Sequence, residues 1–159
     1  MHYIGIDYGT KRWGLSSAHV DVGIASPLPP ACQRTVQERW QHLEGAIKKL
    51  SAVKACIIGY PRHLNGALGT LAPDVERFAA ELTRRFGVAV YFSDETLTSY
   101  VASQYLSQQK TRRQRRMPDA AHAVRQQQKQ RRSGQTDSLS ATLLLQDYLD
   151  AHTNRPWDS

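Results

Sequence analysis

Three acidic residues, far apart in the chain, stand where an acid needs a reason. Asp7 interrupts the apolar run of Ile4, Ile6 and Tyr8, Glu95 follows Asp94 directly after the apolar segment Val88–Phe92, and Asp137 stands where a last helix is expected to open. Taken singly, Glu95 reads as a surface loop acid and Asp137 as a helix N-cap, whereas a charge inside a strand is seldom decorative. Taken together they could form one site. Carboxylates gathered in one place repel each other and drift toward the neutral form unless a cation joins them. Ligands that are all oxygen favour Mg²⁺ or Mn²⁺ over zinc. Such a site activates water and stabilises the leaving oxygen of a phosphodiester, in the usual scheme with two metals about 4 Å apart.

The elements that must carry these acids are legible from periodicity. Tyr3–Tyr8 alternates and stops at Gly9-Thr10, Trp13–Ala18 reads as a second strand, and Gly23–Pro27 as a short third one closed by a Pro-Leu-Pro-Pro cluster. Connections this short permit only antiparallel pairing. Val36, Trp40, Leu43, Ile47 and Leu50 recur at helical spacing over Thr35–Leu50, and Ala52–Gly59 is a compact apolar run that suits a buried strand. Pro73 opens a further helix with Val75, Phe78, Ala79, Leu82 and Phe86 on one face, and Gly87 stops it. Val88–Phe92 is the fifth strand and Thr98–Leu106 a helix; after Gly134, Asp137 or Ser138 is expected to cap the last helix, with Leu139, Leu143, Leu144 and Tyr148 as its apolar positions.

The resulting class is α/β: a five-stranded mixed sheet, an antiparallel meander of three strands plus two parallel strands, flanked by helices. Right-handed crossovers put the fourth and fifth strands beside the first, so that Asp7 and Glu95 reach the same sheet edge, where the last helix can deliver Asp137. At 159 residues the chain is expected to hold a single domain over residues 1–150, with a basic insertion or loop at about 108–134 and a tail at 151–159.

The net charge of +7 is concentrated in one place. Between Lys110 and Arg132 there are nine Lys/Arg, Arg112, Arg113, Arg115 and Arg116 among them, against the single acid Asp119; the remainder carries −1. A localised basic block suits a polyanionic partner, and a solvated basic loop is the bland alternative. Lys11 and Arg12 follow a Gly-Thr turn and suit phosphate contact. In the loop after the fourth strand, Tyr60 could stack on a base, and His63 is a proton carrier by position alone. Trp13 and Trp40 are read as core.

Four ordered motifs add to this reading: Gly5-Ile6-Asp7-Tyr8-Gly9-Thr10-Lys11-Arg12, then Gly59-Tyr60-Pro61 with Asn65-Gly66, then Asp94-Glu95-Thr96-Leu97-Thr98, then the run from Thr136-Asp137-Ser138 to Leu149. With them the chain resembles the YqgF family, bacterial proteins named as pre-16S rRNA nucleases and as Holliday junction resolvase-like, over roughly residues 3–150. The resemblance implies an RNase H-like fold, with Asp7, Glu95 and Asp137 as the catalytic, metal-binding carboxylates. It also implies a turn of Gly9, Thr10, Lys11 and Arg12 that faces the scissile strand. Nucleic-acid contacts are then expected from Thr10, Lys11, Arg12, Tyr60, Asn65, Arg112, Arg113, Arg115 and Arg116. The implied substrate is pre-16S rRNA, with branched DNA as the alternative, and the implied assembly a monomer or a homodimer. The sequence departs from the family pattern at Thr96, where an arginine is usual, and in a longer, more basic segment from Ser107 to Gly134. The second strand runs into Asp21 without matching the early aspartate of the family.

Two other classes compete. Gly-Ile-Asp-x-Gly-Thr is also similar to the phosphate loop of the sugar kinase, Hsp70 and actin group, which clasps ATP between two copies of the fold, and one copy is all that 159 residues supply. A non-catalytic nucleic-acid binder, working through the basic segment, is the other. No apolar run approaches the ~18 residues of a membrane span. Met1 leads straight into a strand pattern without a leader, and the cysteines number two, Cys32 and Cys56; the expected setting is a reducing cytoplasm.

Overall fold

A computed structural model describes residues 1–61, 70–94 and 122–153, by backbone alone at 94, 122–136 and 153. The elements are β1 (His2–Tyr8), β2 (Trp13–His19), β3 (Ala25–Ala31), α1 (Val36–Lys48), β4 (Val53–Tyr60), α2 (Ala72–Phe86), β5 (Ala89–Asp94) and α3 (His122–Thr153). The strands form one sheet in the order β3-β2-β1-β4-β5. β1–β2 and β2–β3 are antiparallel, and β1–β4 and β4–β5 are parallel. This is the topology that short hairpins followed by two right-handed crossovers require.

The period of two along each strand divides the sheet into two faces. Ile4, Ile6, Trp13, Leu15, Cys56 and Ile58 point into a core shared with Trp40 and Leu43 of α1 and Val75, Phe78 and Leu82 of α2. Trp13, Trp40 and Phe78 meet there with ring centroids 4.7–4.9 Å apart. Such aromatic contacts contribute about 0.5–1.5 kcal/mol each beyond simple burial. The opposite face is thinner: Tyr3, Ala18 and Ile57 pack under Leu144, Leu145, Tyr148 and Leu149 of α3.

Local chemistry sets the helix ends. Thr35 caps α1 in a reciprocal box: the Glu38 backbone N–H donates to Oγ1 of Thr35, and the Thr35 backbone N–H donates to the Glu38 carboxylate. α2 starts with Pro73 in its first turn and ends at Gly87, whose φ of 63° is the left-handed conformation that glycine takes without strain.

Two expectations are corrected. β3 runs to Ala31, so Pro27, Pro29 and Pro30 lie inside it rather than closing it. This is possible because β3 is the sheet edge, where a residue without an N–H forfeits no ladder bond on the open side. The last helix does not begin at Asp137 or Ser138. It starts at His122 and passes straight through Gly134, so Asp137 lies well inside it. The Gln- and Arg-rich stretch before Gly134 consists of good helix formers, and a single internal glycine is a penalty of only about 1 kcal/mol. The expected Thr98–Leu106 helix lies outside the described residues.

Cys56, fully buried in the core, has its thiol pushed up to about 12 by desolvation, whereas Cys32 is exposed. An aromatic disulfide reagent at pH 8 is therefore expected to label one thiol rapidly, and the second only after denaturant is added. Rapid labelling of both in the native protein would contradict the packing of β4.

Candidate active site

Asp7 stands near the end of β1, directly opposite Gly14 of β2 in the antiparallel register. Directly opposed residues point to the same face, with β-carbons about 5 Å apart. That face is the one beneath α3, because a β-carbon added to Gly14 would collide with the backbone carbonyl of Asp137. A β-carbon added to Gly5, two residues before Asp7, would come within 2.8 Å of the Ala141 carbonyl. Glycine at both positions lets the helix backbone lie on the sheet itself. Ser16, next along β2 on this face and fully buried, donates a hydrogen bond of 2.8 Å to the Ala141 carbonyl, and Ser138 donates one of 2.7 Å to the Leu28 carbonyl. At the other edge Gln146 accepts from the Ala25 N–H at 2.9 Å and donates to the Gly23 carbonyl at 3.1 Å. These bonds fix the height and rotation of α3, and with them Asp137.

The electrostatics of Asp137 are unusual. Burial pushes its carboxyl above the ordinary aspartate range, and Arg12 opposes the shift. Nη1 of Arg12 lies 3.9 Å from Oδ2 of Asp137, too far for a hydrogen bond. Oδ2 is buried with no hydrogen-bond partner among the described residues. A desolvated carboxylate oxygen of this kind has the chemistry of a cation ligand.

The turn that carries Arg12 is closed by a 2.9 Å hydrogen bond from the Gly9 N–H to the Arg12 carbonyl, and Thr10, Lys11 and Arg12 are exposed on it. From behind, Nη1 of the buried Arg39 donates to the Thr10 carbonyl at 2.9 Å. Arg39 was not among the residues the sequence singled out. It sits one position before a core tryptophan on α1, and its partner is 29 residues away. Ser16 and Gln146 were missed for the same reason, and Ser138, expected as a helix cap, instead bonds to β3: their roles are contacts between distant segments.

Of the sequence-derived site, the structure therefore brings Asp7, Asp137, Thr10, Lys11 and Arg12 to one edge. Tyr60 ends β4, donates a 2.6 Å hydrogen bond to Glu76 and meets the Phe92 ring edge-on at 5.1 Å. Glu95, His63, Asn65, Arg112, Arg113, Arg115 and Arg116 lie outside the described residues. β5 ends at Asp94, paired with Tyr60, and Ser93 pairs with Gly59. Among the described residues, which exclude Glu95, no three His, Cys, Asp or Glu side chains form a metal-sized cluster. No helix among them is long and apolar enough to cross a membrane.

A mixed five-stranded sheet in this order, with a carboxylate on its first strand and another on the helix above it, defines the class: an RNase H-like nuclease fold. Thermus thermophilus RuvC, solved in complex with a Holliday junction substrate, superposes with a TM-score of 0.51 over 97% of each chain at 15% identity, a likeness of fold. The family model described as "RuvX: Holliday junction resolvase" matches residues 1–125. A relative in Opitutus terrae is 38% identical over 94% of this chain and 92% of its own length, and one in Syntrophus aciditrophicus is 32% identical over 95% and 89%. Both carry the name "Putative pre-16S rRNA nuclease". The chain belongs to the RuvX family, also called YqgF, of nucleases.

Proposed function

We propose that this protein is a divalent-metal-dependent endonuclease that hydrolyses a phosphodiester of precursor 16S rRNA. The observation that carries the metal dependence is Oδ2 of Asp137, buried without a hydrogen bond among the described residues and above the strand pair that bears Asp7. The substrate follows the names of the relatives.

Asp7 and Asp137, joined by Glu95, would hold Mg²⁺ or Mn²⁺. Such an ion supplies the polarisation of the phosphate and of the attacking water. The rest is the work of this chain. Docking of α3 through Ser16, Ser138 and Gln146 holds the Asp137 carboxylate in place without a local loop. Arg12 balances part of the negative charge of the site and, with Lys11, offers a phosphate its counter-charge. Arg39 holds the carbonyl of Thr10, which keeps the turn from yielding when the strand binds. The basic residues from Lys110 to Arg132 would follow the backbone outside the cut.

The second reading is a four-way DNA junction, favoured by the description of the matching family and by the RuvC likeness. The two are separated by offering labelled precursor rRNA and labelled junction DNA with Mg²⁺ or Mn²⁺, and with a chelator. Metal-dependent cleavage of the RNA alone is expected. Cleavage of the junction alone would move the substrate to DNA, and binding of both without cleavage would leave a non-catalytic binder.

A further inference from the structure

On the far side of the Gly9–Arg12 turn from Asp137 lies a cleft of about 240 Å³ that shares Thr10 and Arg39 with the turn. Tyr8 lines it together with the core rings Trp13, Trp40 and Phe78, which are only 2–7% exposed, and its polar groups are Thr10, Arg39, Asp74, Arg77 and Glu81. Sites for drug-sized ligands run to about 300–1,000 Å³, so this one suits a fragment, such as a single planar ring system.

Arg39 is what makes the cleft more than a gap in packing. The residue is only 5% exposed, and its guanidinium lies 5.4 Å from the centroid of the Trp13 ring. One N–H is spent on the Thr10 carbonyl, while Nε is buried with no acceptor among the described residues. An unsatisfied buried donor is costly, and more so on a charged group. A guanidinium has donors only, in a planar fork, and the partner that matches it best is a pair of adjacent acceptors. Among the four RNA bases, guanine offers such a pair in O6 and N7 and an unpaired cytosine in O2 and N3, whereas adenine offers N7 beside a donor; of the two, the larger guanine ring reaches farther into the cleft. The carboxylate of Asp74, on the same cleft, is held by Arg77 in a 2.6 Å ion pair.

We propose that this cleft receives one unstacked guanine of the substrate strand, its O6/N7 edge on Arg39 and its ring against Tyr8. The location supports it. Thr10 lines the cleft and is joined directly to Lys11 and Arg12, so a strand with its phosphate on those cations carries a neighbouring base past the opening. Single-stranded recognition commonly works in this way, with bases splayed out, stacked on aromatic rings and read along an edge. The inference rests on the nucleic-acid reading of the site and adds a sequence preference to it.

The test uses the full chain in a chelator, so that nothing is cut, and end-labelled uridine pentamers that carry one central guanine, inosine, adenine or cytosine, beside the all-uridine pentamer. Guanine and inosine, which share O6 and N7, are expected to bind about tenfold more tightly than adenine, cytosine or uracil, the lower part of the range for a good guanidinium–base pair. Arg39→Gln should erase that preference. Should this variant fail to fold, Val36→Trp serves instead, because Val36 lines the cleft and is 53% exposed, so a larger side chain there blocks the mouth without entering the core. Equal affinity for the five pentamers, or a preference unmoved by Val36→Trp, overturns the proposal. So does guanosine monophosphate binding more tightly than the guanine pentamer, which would assign the cleft to a free nucleotide. The preference is read without cleavage, so its absence leaves the nuclease reading intact, and a failure to cut leaves the preference measurable.

Discussion

Asp7→Asn and Asp137→Asn are each expected to lower the rate of precursor cleavage by more than about 100-fold, because loss of a supporting group around a metal already removes 10–100-fold and these are the proposed ligands themselves. Asp137→Asn should also change stability. Burial raises the Asp137 carboxyl above its unfolded value, so the folded chain binds more protons than the unfolded chain between those two values. Stability therefore falls as pH rises through that window, and the ionised group is a burden at neutral pH. An amide removes that burden. Without divalent ions, Asp137→Asn is expected to melt about 1–2 °C above the parent, an increment of a few tenths of a kcal/mol. Added Mg²⁺ or Mn²⁺ should raise the melting point of the parent and leave the variant unmoved. Thermal melts with and without metal, run beside the cleavage assay, check both halves. An inactive Asp137→Asn that melts below the parent would mean that the carboxylate holds the fold together rather than serving a ligand.

Gly14→Ala has the largest expected effect on stability. Its β-carbon would fall on the backbone carbonyl of Asp137, and backbone, unlike the end of a side chain, cannot rotate aside. Either α3 lifts from the sheet or β2 bends away. Overpacking of this kind costs about 3 kcal/mol, at the upper end of its usual range, and for a chain of this size lowers the melting temperature by about 6–12 °C. Cleavage should fall too, because the carbonyl that moves belongs to Asp137. Gly45→Ala is the control. Gly45 lies within α1 with nothing within 4 Å of an added β-carbon, and the exchange should stabilise by about 0.5–1 kcal/mol. Calorimetry of both variants distinguishes a specific clash at Gly14 from a general intolerance of larger residues.

The contrast between these glycines shows what could be read in advance and what could not. The strands that carry Asp7, the helix over Val75, Phe78 and Leu82 and the sheet order all follow from local periodicity and short connections, and the sequence displays both. The setting of Asp137 is not legible locally: Gly134 and Ser138 look like a helix boundary, while the good helix formers upstream carry the helix through. The edge strand was cut short because three prolines read as punctuation, and only the sheet shows that its outer side needs few donors. Arg39 and Ser16 left no trace, since each acts on a backbone carbonyl at a distance of 29 or 125 residues. Residue type and spacing disclose which groups have chemistry to offer; close approach between backbones becomes visible only once the chain is folded.

The prolines of β3 have a consequence beyond the length of that strand. An open strand edge is a template on which another chain can grow, the first step of swapping and of amyloid-like aggregation. With Pro27, Pro29 and Pro30 in seven residues, β3 has lost much of the donor pattern a newcomer would need. The meander side of the sheet is thereby guarded against recruitment, and a nascent or crowded population of this protein is protected there by composition alone.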